Sequence, residues 1–510
     1  MQLRSAFKVL GVLLLLLSLS MSLVLLWSLY ELAVSGSPDL SVFYALGTAI
    51  LLGFVAGGSL LVAGAGYQVV PGRREAFLIV SLAWFTGAGI GALPFYLWAL
   101  YSGHGFHVFS DFVNCYFEAM SGLTTTGSSV LANISELPRG LLLWRAMIQW
   151  LGGLGIVVLF VAVMPMIAMD NKKIFQAETS SIGSNQDTPS LQNMAQTLWI
   201  IYAALTGCQI LLMKFADPDL DWFTCITFGF STAATAGFSV LNESAGSISV
   251  SAQWVVVLFM FLAGVNYALF YQLIKGRIAS VLKNTELRAY GGTILIAIFV
   301  IALVLNKASY PSMTGEMIER PSLARAGLDA AFQVVSVHTT TGFSNVNSDA
   351  WPDIARYVLI LLMFVGGCSG STGGGIKVIR FVALFRMLAA ETERAFRPNV
   401  VRPCMVGGSP LSAQQQHSIM VHILFVCALT LFSALILLLL EGSKTDLLTS
   451  FTAVLASVNN IGPGFSLVGA AQNYAWFSVP SKCLLIFLMA VGRLEVFTVF
   501  ALLSRKFWRL

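Results

Sequence analysis

Long apolar runs separated by short polar stretches set the rhythm of this chain. Runs near residues 9–32, 42–66, 77–101, 141–169, 191–215, 253–275, 290–306, 355–388, 418–440 and 480–504 read as membrane-spanning helices, because about 20 apolar residues are enough to cross ~30 Å of hydrocarbon. Four shorter apolar segments, near 111–122, 221–233, 325–337 and 445–457, lie between them. A helix of about 12 residues rises only ~18 Å, so these segments enter the membrane and turn back. Each leads into a polar loop and then another long run. The pattern predicts an all-α polytopic membrane protein, with two N-terminal transmembrane helices followed by four tandem units of helix, pore helix, filter loop and helix around one central pore. Expected boundaries are 1–70 for the N-terminal pair and 71–170, 171–276, 277–390 and 391–510 for the four units.

The four loops read Thr124-Thr125-Thr126-Gly127, Thr235-Ala236-Gly237-Phe238, Thr340-Thr341-Gly342-Phe343 and Asn460-Ile461-Gly462-Pro463, with glycines 110, 105 and 120 residues apart. Non-helical backbone cannot face lipid, where unpaired N–H and C=O groups are costly, so each loop must line a water-filled path. A cation shedding its hydration shell in a narrow pore needs replacement oxygens. Backbone carbonyls and threonine hydroxyls supply them without fixed charge, and glycine permits the dihedrals that aim the carbonyls. The candidate ring is Thr125, Thr126, Gly127, Thr235, Ala236, Gly237, Thr340, Thr341, Gly342, Asn460, Ile461 and Gly462. In the helix after each loop a small residue recurs, at Gly153, Gly264, Gly367 and Gly492. Helix packing explains any one of them, whereas the shared offset points to a repeat.

Composition agrees with a membrane protein: 57% hydrophobic residues, 10% charged residues and a mean hydropathy of +0.81 leave too little polar surface to cover a water-soluble globule of 510 residues. The run after Met1 is too long for a signal peptide and reads as a retained first helix. Seven cysteines form no C-x-x-C pair, and the histidines form no H-E-x-x-H pattern, which argues against a disulfide framework or a zinc site. Most of the 29 Lys and Arg fall in segments that this topology places on one side, among them Arg4, Lys8, Arg73, Arg74, Lys172, Lys173 and the 377–402 cluster. By the positive-inside rule both termini and the 389–416 linker are cytoplasmic and the loops open outward.

The four-unit pattern resembles the Trk/Ktr/HKT superfamily of potassium transporters. Two extra N-terminal helices, the Asn460-Ile461-Gly462-Pro463-Gly464 loop and Gly492-Arg493-Leu494-Glu495 are most similar to its bacterial TrkH/TrkG branch, over about residues 40–505. The resemblance implies potassium uptake across the bacterial inner membrane, potassium ions held at the filter residues, a homodimer in the lipid bilayer, and regulation by a cytosolic TrkA-like ring. Nucleotides would enter only through that partner, with no covalently bound cofactor and no nucleic-acid role. A sodium-coupled potassium symporter or a weakly selective monovalent cation channel is the alternative, because both would use the same parts. All four loop glycines are present, so the serine-for-glycine change associated with sodium permeation in plant members is absent.

Two features stand apart from the repeat. The stretch Gly366, Gly367, Cys368, Ser369, Gly370, Ser371, Thr372, Gly373, Gly374 and Gly375 cannot remain a stable membrane helix. In the resembling family the matching segment obstructs the pore, which assigns it as the gate; the alternative is a glycine-rich packing kink. Arg493 lies about midway along the last apolar run, where a guanidinium must find a cavity or a carboxylate. A positive barrier in the pore is expected, with pairing to a carboxylate such as Glu118 the alternative; Glu118 also suits bracing the filter from behind. Asp39, Asp111, Asp217, Asp219 and Asp221 suit cation attraction at the mouth, although Asp111 and Asp221 sit where pore helices need N-caps. The chain is not expected to be an enzyme. Gly370–Lys377 fails as a phosphate-binding loop because Ile376 separates glycine from lysine. Gly367-Cys368-Ser369-Gly370 matches the G-x-S-G of rhomboid-type serine proteases, a remote alternative that lacks a histidine placed as base.

Overall fold

A computed structural model describes residues 3–35, 40–65, 73–103, 105, 107–168, 191–398, 403–494 and 496–508. Asp39, His104, Lys172, Lys173, Arg402 and Glu495 lie outside the described residues. The fold is almost entirely helical. Six described helices are long and apolar enough to cross a membrane, and two bent helix pairs qualify as further spans. The other two expected spans are Arg139–Ala168 and the pair Asp353–Met363 and Val378–Phe396, which the glycine-rich loop separates.

Helices Leu3–Ser35 and Leu40–Ala63 form the N-terminal pair. Glycine lets their backbones approach closely: a Cβ on Gly11 would lie 2.7 Å from the Gly57 carbonyl oxygen, and one on Gly64 2.8 Å from that of Arg4. The four short helices are Phe112–Leu123, Trp222–Ala233, Leu323–His338 and Leu447–Asn459. Their N-caps are Asp111, Asp221, Ser322 and Asp446, each side chain accepting from a first-turn backbone N–H. Capping is therefore what Asp111 and Asp221 do. One apolar core joins the N-terminal pair to the first and fourth units, and another holds the second and third. Two short antiparallel hairpins, pairing Tyr310 with Ile318 and Met405 with Pro410, complete the secondary structure.

Two runs expected as continuous helices are broken. Residues 253–275 divide into Val250–Ala263 and Tyr267–Ile274, which turn by 95°. The last run divides into Val479–Arg493 and Val496–Leu503, turning by 119°. Arg493 is thus the final residue of a helix rather than its midpoint. Hydropathy registers an apolar stretch but not its direction, and both breaks lie at a small residue of the repeat, Gly264 and Gly492.

Candidate functional site

All four short helices terminate alike. Thr126, Ala236, Thr341 and Ile461 donate their N–H groups five residues back, to Ser121, Ser231, Ser336 and Ala456 at 2.8, 3.0, 2.8 and 2.9 Å. The preceding residues, Thr125, Thr235, Thr340 and Asn460, are left-handed, with φ of 54°, 50°, 62° and 53°. This is the Schellman stop, in which a left-handed residue lets the chain turn back over the last carbonyls. Glycine normally fills that position. Threonine there is strained by about 1 kcal/mol or more, a feature sequence rules place elsewhere. Two residues on, Gly127, Gly237, Gly342 and Gly462 are again at positive φ, 87°, 76°, 83° and 103°.

Those glycines close a ring. A Cβ on Gly127 would lie 2.3 Å from the Ala236 oxygen, on Gly237 2.1 Å from Thr341, on Gly342 2.0 Å from Ile461, and on Gly462 2.7 Å from Thr126. Each loop therefore leans on the next in chain order, and the fourth returns to the first. Only glycine allows this approach, quite apart from its dihedrals. All twelve predicted ring residues take part in these four loops. Side-chain oxygens at the helix ends beneath the loops remain without a protein donor: Thr125 Oγ1, Asn459 Oδ1 and Asn460 Oδ1 are buried and unpaired. The C-terminal, negative ends of four helix dipoles meet at the same place.

The ring is braced from behind. Glu118 accepts from Arg145 Nε at 2.6 Å, from the Ser129 hydroxyl at 2.9 Å and from Val130 N–H at 3.0 Å. Arg145 also donates to the Ser239 carbonyl at 2.9 Å and lies 3.8 Å from the Phe238 ring centroid. The ion pair thus ties the exits of the first two loops together. Arg145 was not foreseen; its signal is a lone charge inside an apolar run. Gln149 reaches the second loop, donating to the Ala236 carbonyl at 2.8 Å. Farther out a second circle forms: Asn242 accepts from Ile134 N–H, Ala245 N–H donates to Ser344, Ser466 N–H donates to Asp349 Oδ1, and Tyr474 N–H donates to Ser129. Asp349, in the loop between helices Leu323–His338 and Asp353–Met363, has its carboxyl pKa raised, chiefly by burial, against the opposing Ser466 hydrogen bond and Arg356 charge. Asp217 accepts from Ser249 N–H and Asp219 is exposed.

Residues 366–375 leave the helical path and pack on the helix-end side of the ring. A parallel bridge between Val365 and Ile376 closes the stem. Gly374 N–H donates to Thr340 Oγ1 at 2.8 Å, and the Thr372 hydroxyl contacts the Ala233 carbonyl at 3.1 Å and Thr235 Oγ1 at 3.3 Å. Arg493, only 3% exposed, donates to the Thr372 carbonyl at 2.6 Å and to Gly152 at 2.9 Å. The pairing of Arg493 with Glu118 does not occur, because Glu118 is held by Arg145. The two features treated separately in the sequence are one assembly, with the arginine's two terminal nitrogens donating to carbonyls of the loop and of the first unit and its Nε buried without a partner. The protease alternative gains nothing here. His338 spends both ring nitrogens, on the Val365 carbonyl at 2.7 Å and on Thr293 Oγ1 at 3.0 Å.

A family model described as a cation transport protein, TrkH, matches residues 50–509. The chain belongs to that family. Relatives of the TrkH family include the Trk system potassium uptake protein TrkH of Escherichia coli K12, 35% identical with 86% of each chain covered. The protein of the same name from Vibrio parahaemolyticus is 32% identical over the whole of both chains. TrkG of E. coli K12 is 32% identical over 86% of each. The crystal structure of the potassium transporter TrkH from V. parahaemolyticus superposes with a TM-score of 0.82 at 29% identity, covering all of both chains. This is a family of transporters rather than enzymes, and its members are multi-pass membrane proteins of the kind the apolar helices describe.

Proposed function

We propose that the chain takes up potassium through the ring of four loops, with residues 366–375 and Arg493 together forming the gate. The observation that carries this reading is the closed ring of glycine-to-carbonyl contacts, with unpaired oxygens at its helix-end side. Four backbone loops around one axis can replace a cation's water shell, and a loop bonded to Thr340 and, through Thr372, to Ala233 and Thr235 is suited to obstruct an ion beyond them. An inside-negative potential drives uptake by about 2.3 kcal/mol per charge per 100 mV, so the chain needs no ATPase of its own. The bacterial inner membrane, with cytoplasmic termini, suits the distribution of basic residues.

The family resemblance extends the proposal to a homodimer regulated by a cytosolic, nucleotide-binding TrkA-like ring. The basic cluster Arg394, Arg397 and Arg402 is the proposed docking surface; Arg394 and Arg397, at the end of helix Val378–Phe396, pair with Glu391 and Glu393. Flux through purified protein in liposomes under K⁺, Rb⁺ and Na⁺ gradients at clamped potential tests the main reading. Potassium and rubidium should pass without sodium on the other side. A strict sodium requirement would replace uniport with symport, and equal fluxes of all three ions would remove the ring as a selectivity filter.

A further inference from the structure

Arg493 holds one side of the 366–375 loop. The opposite side is held by a group of opposite charge. Glu286, in the first turn of helix Thr285–Leu305, is 8% exposed, and its Oε1 accepts from Ser369 N–H at 2.6 Å. The Ser369 hydroxyl and Ile379 N–H also face this carboxylate, and Lys377 is the nearby cation. Ile379 belongs to the first turn of helix Val378–Phe396, whose N-cap Lys377 makes no side-chain cap bond. One carboxylate thus caps that helix from another element and grips the loop. The neighbouring break at Gly264–Asn266 completes the seat: Cys368 N–H donates to the Gly264 carbonyl at 2.9 Å, and Tyr267 N–H donates to the Gly370 carbonyl at 3.1 Å.

The division of labour is chemical. A carbonyl of the loop needs a donor and receives a guanidinium; an N–H needs an acceptor and receives a carboxylate. We propose that Glu286 latches the 366–375 loop in its obstructing position, a positioning role that rests on reading that loop as the gate. Glu286 follows residues 275–284, an exposed segment that carries Lys275, Arg277 and Lys283 around the short helix Ile278–Leu282, so a displacement of that segment acts directly on the latch.

The test uses full-length Glu286→Gln and Glu286→Ala in liposomes, with two readouts: potassium and sodium flux, and the rate at which a small maleimide modifies Cys368, followed peptide by peptide by mass spectrometry. Cys368 is buried in the loop, and Cys115 and Cys225 are buried elsewhere and report general loosening. Losing a charge-assisted hydrogen bond should raise Cys368 labelling about tenfold or more in Glu286→Ala, and less in the isosteric Glu286→Gln. Potassium flux should rise in step, with the sodium-to-potassium ratio unchanged. The Gln variant decides the matter if the Ala variant does not fold. Labelling of Cys368 at the wild-type rate would overturn the latch, as would an equal rise at Cys115 and Cys225. A deletion of Cys368–Gly374 separates the two ideas. If the deletion raises flux and the Glu286 variants change neither readout, the latch fails and the gate stands. If Cys368 becomes reactive while neither the variants nor the deletion change flux, the gate reading fails.

Discussion

Converting Glu118 to glutamine tests whether the ring depends on what lies behind it. The carboxylate and Arg145 are 2.6 Å apart, with side-chain exposures of 0% and 3%, so the pair is sheltered from screening. Removing one charge of a buried pair costs about 3–5 kcal/mol, because the other is left uncompensated. Here the stranded guanidinium keeps the Ser239 carbonyl and the Phe238 ring, which hold it in place and favour the lower end, about 3 kcal/mol. The glutamine amide can accept from Arg145 or from Val130 N–H, but its NH₂ group cannot accept from the other. The Ser129 hydroxyl reaches both carboxylate oxygens, so the bond lost is that of Arg145 or that of Val130, three residues beyond Gly127. Loss of stability should therefore come with a looser first loop and a higher sodium-to-potassium flux ratio. Reversible denaturation in mixed detergent micelles, followed by tryptophan fluorescence, gives the first quantity and liposome flux the second. Arg145→Met and the double variant complete a cycle, in which a coupling of about 2–3 kcal/mol is expected. A glutamine variant within about 1 kcal/mol of wild type and unchanged in ion preference would show that the pair does not support the ring.

Alanine should be tolerated less at Gly342 than at Gly462, because the added carbon would lie 2.0 Å from a carbonyl oxygen in one case and 2.7 Å in the other; Gly342→Ser should raise sodium permeation, and the flux ratios of the variants check both statements. Deleting Cys368–Gly374 should raise basal potassium flux more than Arg493→Ala does, without altering ion preference. Since Arg493 donates to Thr372, the combined variant should exceed the deletion little, and additive effects in the same assay would mean two separate barriers. Asp349 binds its proton more readily in the folded chain than in the unfolded one. Stability should therefore fall as pH rises from the ordinary carboxylate value of about 4 through the raised native one, a slope that Asp349→Asn should flatten in denaturation at a series of pH values.

The short helices and their loops were legible because apolar length and polar interruption are written directly in residue order. All four segments are found within about two residues of their expected places, and their N-caps follow from side-chain chemistry. What residue order conceals is direction and partnership. The apolar runs through Gly264 and Gly492 gave no sign of turning, and Arg145 was hidden in a run whose average hydropathy outweighed its charge. Thr125, Thr235 and Thr340 were expected to offer oxygens; that they also occupy left-handed backbone was not visible, because turn rules reserve that conformation for glycine and asparagine. Arg493 and the glycine-rich loop each stand out in residue order, yet only the fold brings the guanidinium onto the Thr372 carbonyl.

A ring drawn from a single chain has a freedom that a ring of identical subunits lacks. In a homotetramer every change at the filter arrives four times at once, and the smallest available step is four substitutions. Here each quarter is encoded separately, and each glycine rests on the carbonyl of the loop that follows it, so one substitution strains one seam first and its neighbours only through that seam. With the ring as the proposed selectivity filter, ion preference becomes adjustable one seam at a time rather than four at once. The unequal loops, Thr-Thr-Gly, Thr-Ala-Gly, Thr-Thr-Gly and Asn-Ile-Gly, are what a history of such single-seam adjustments would leave behind.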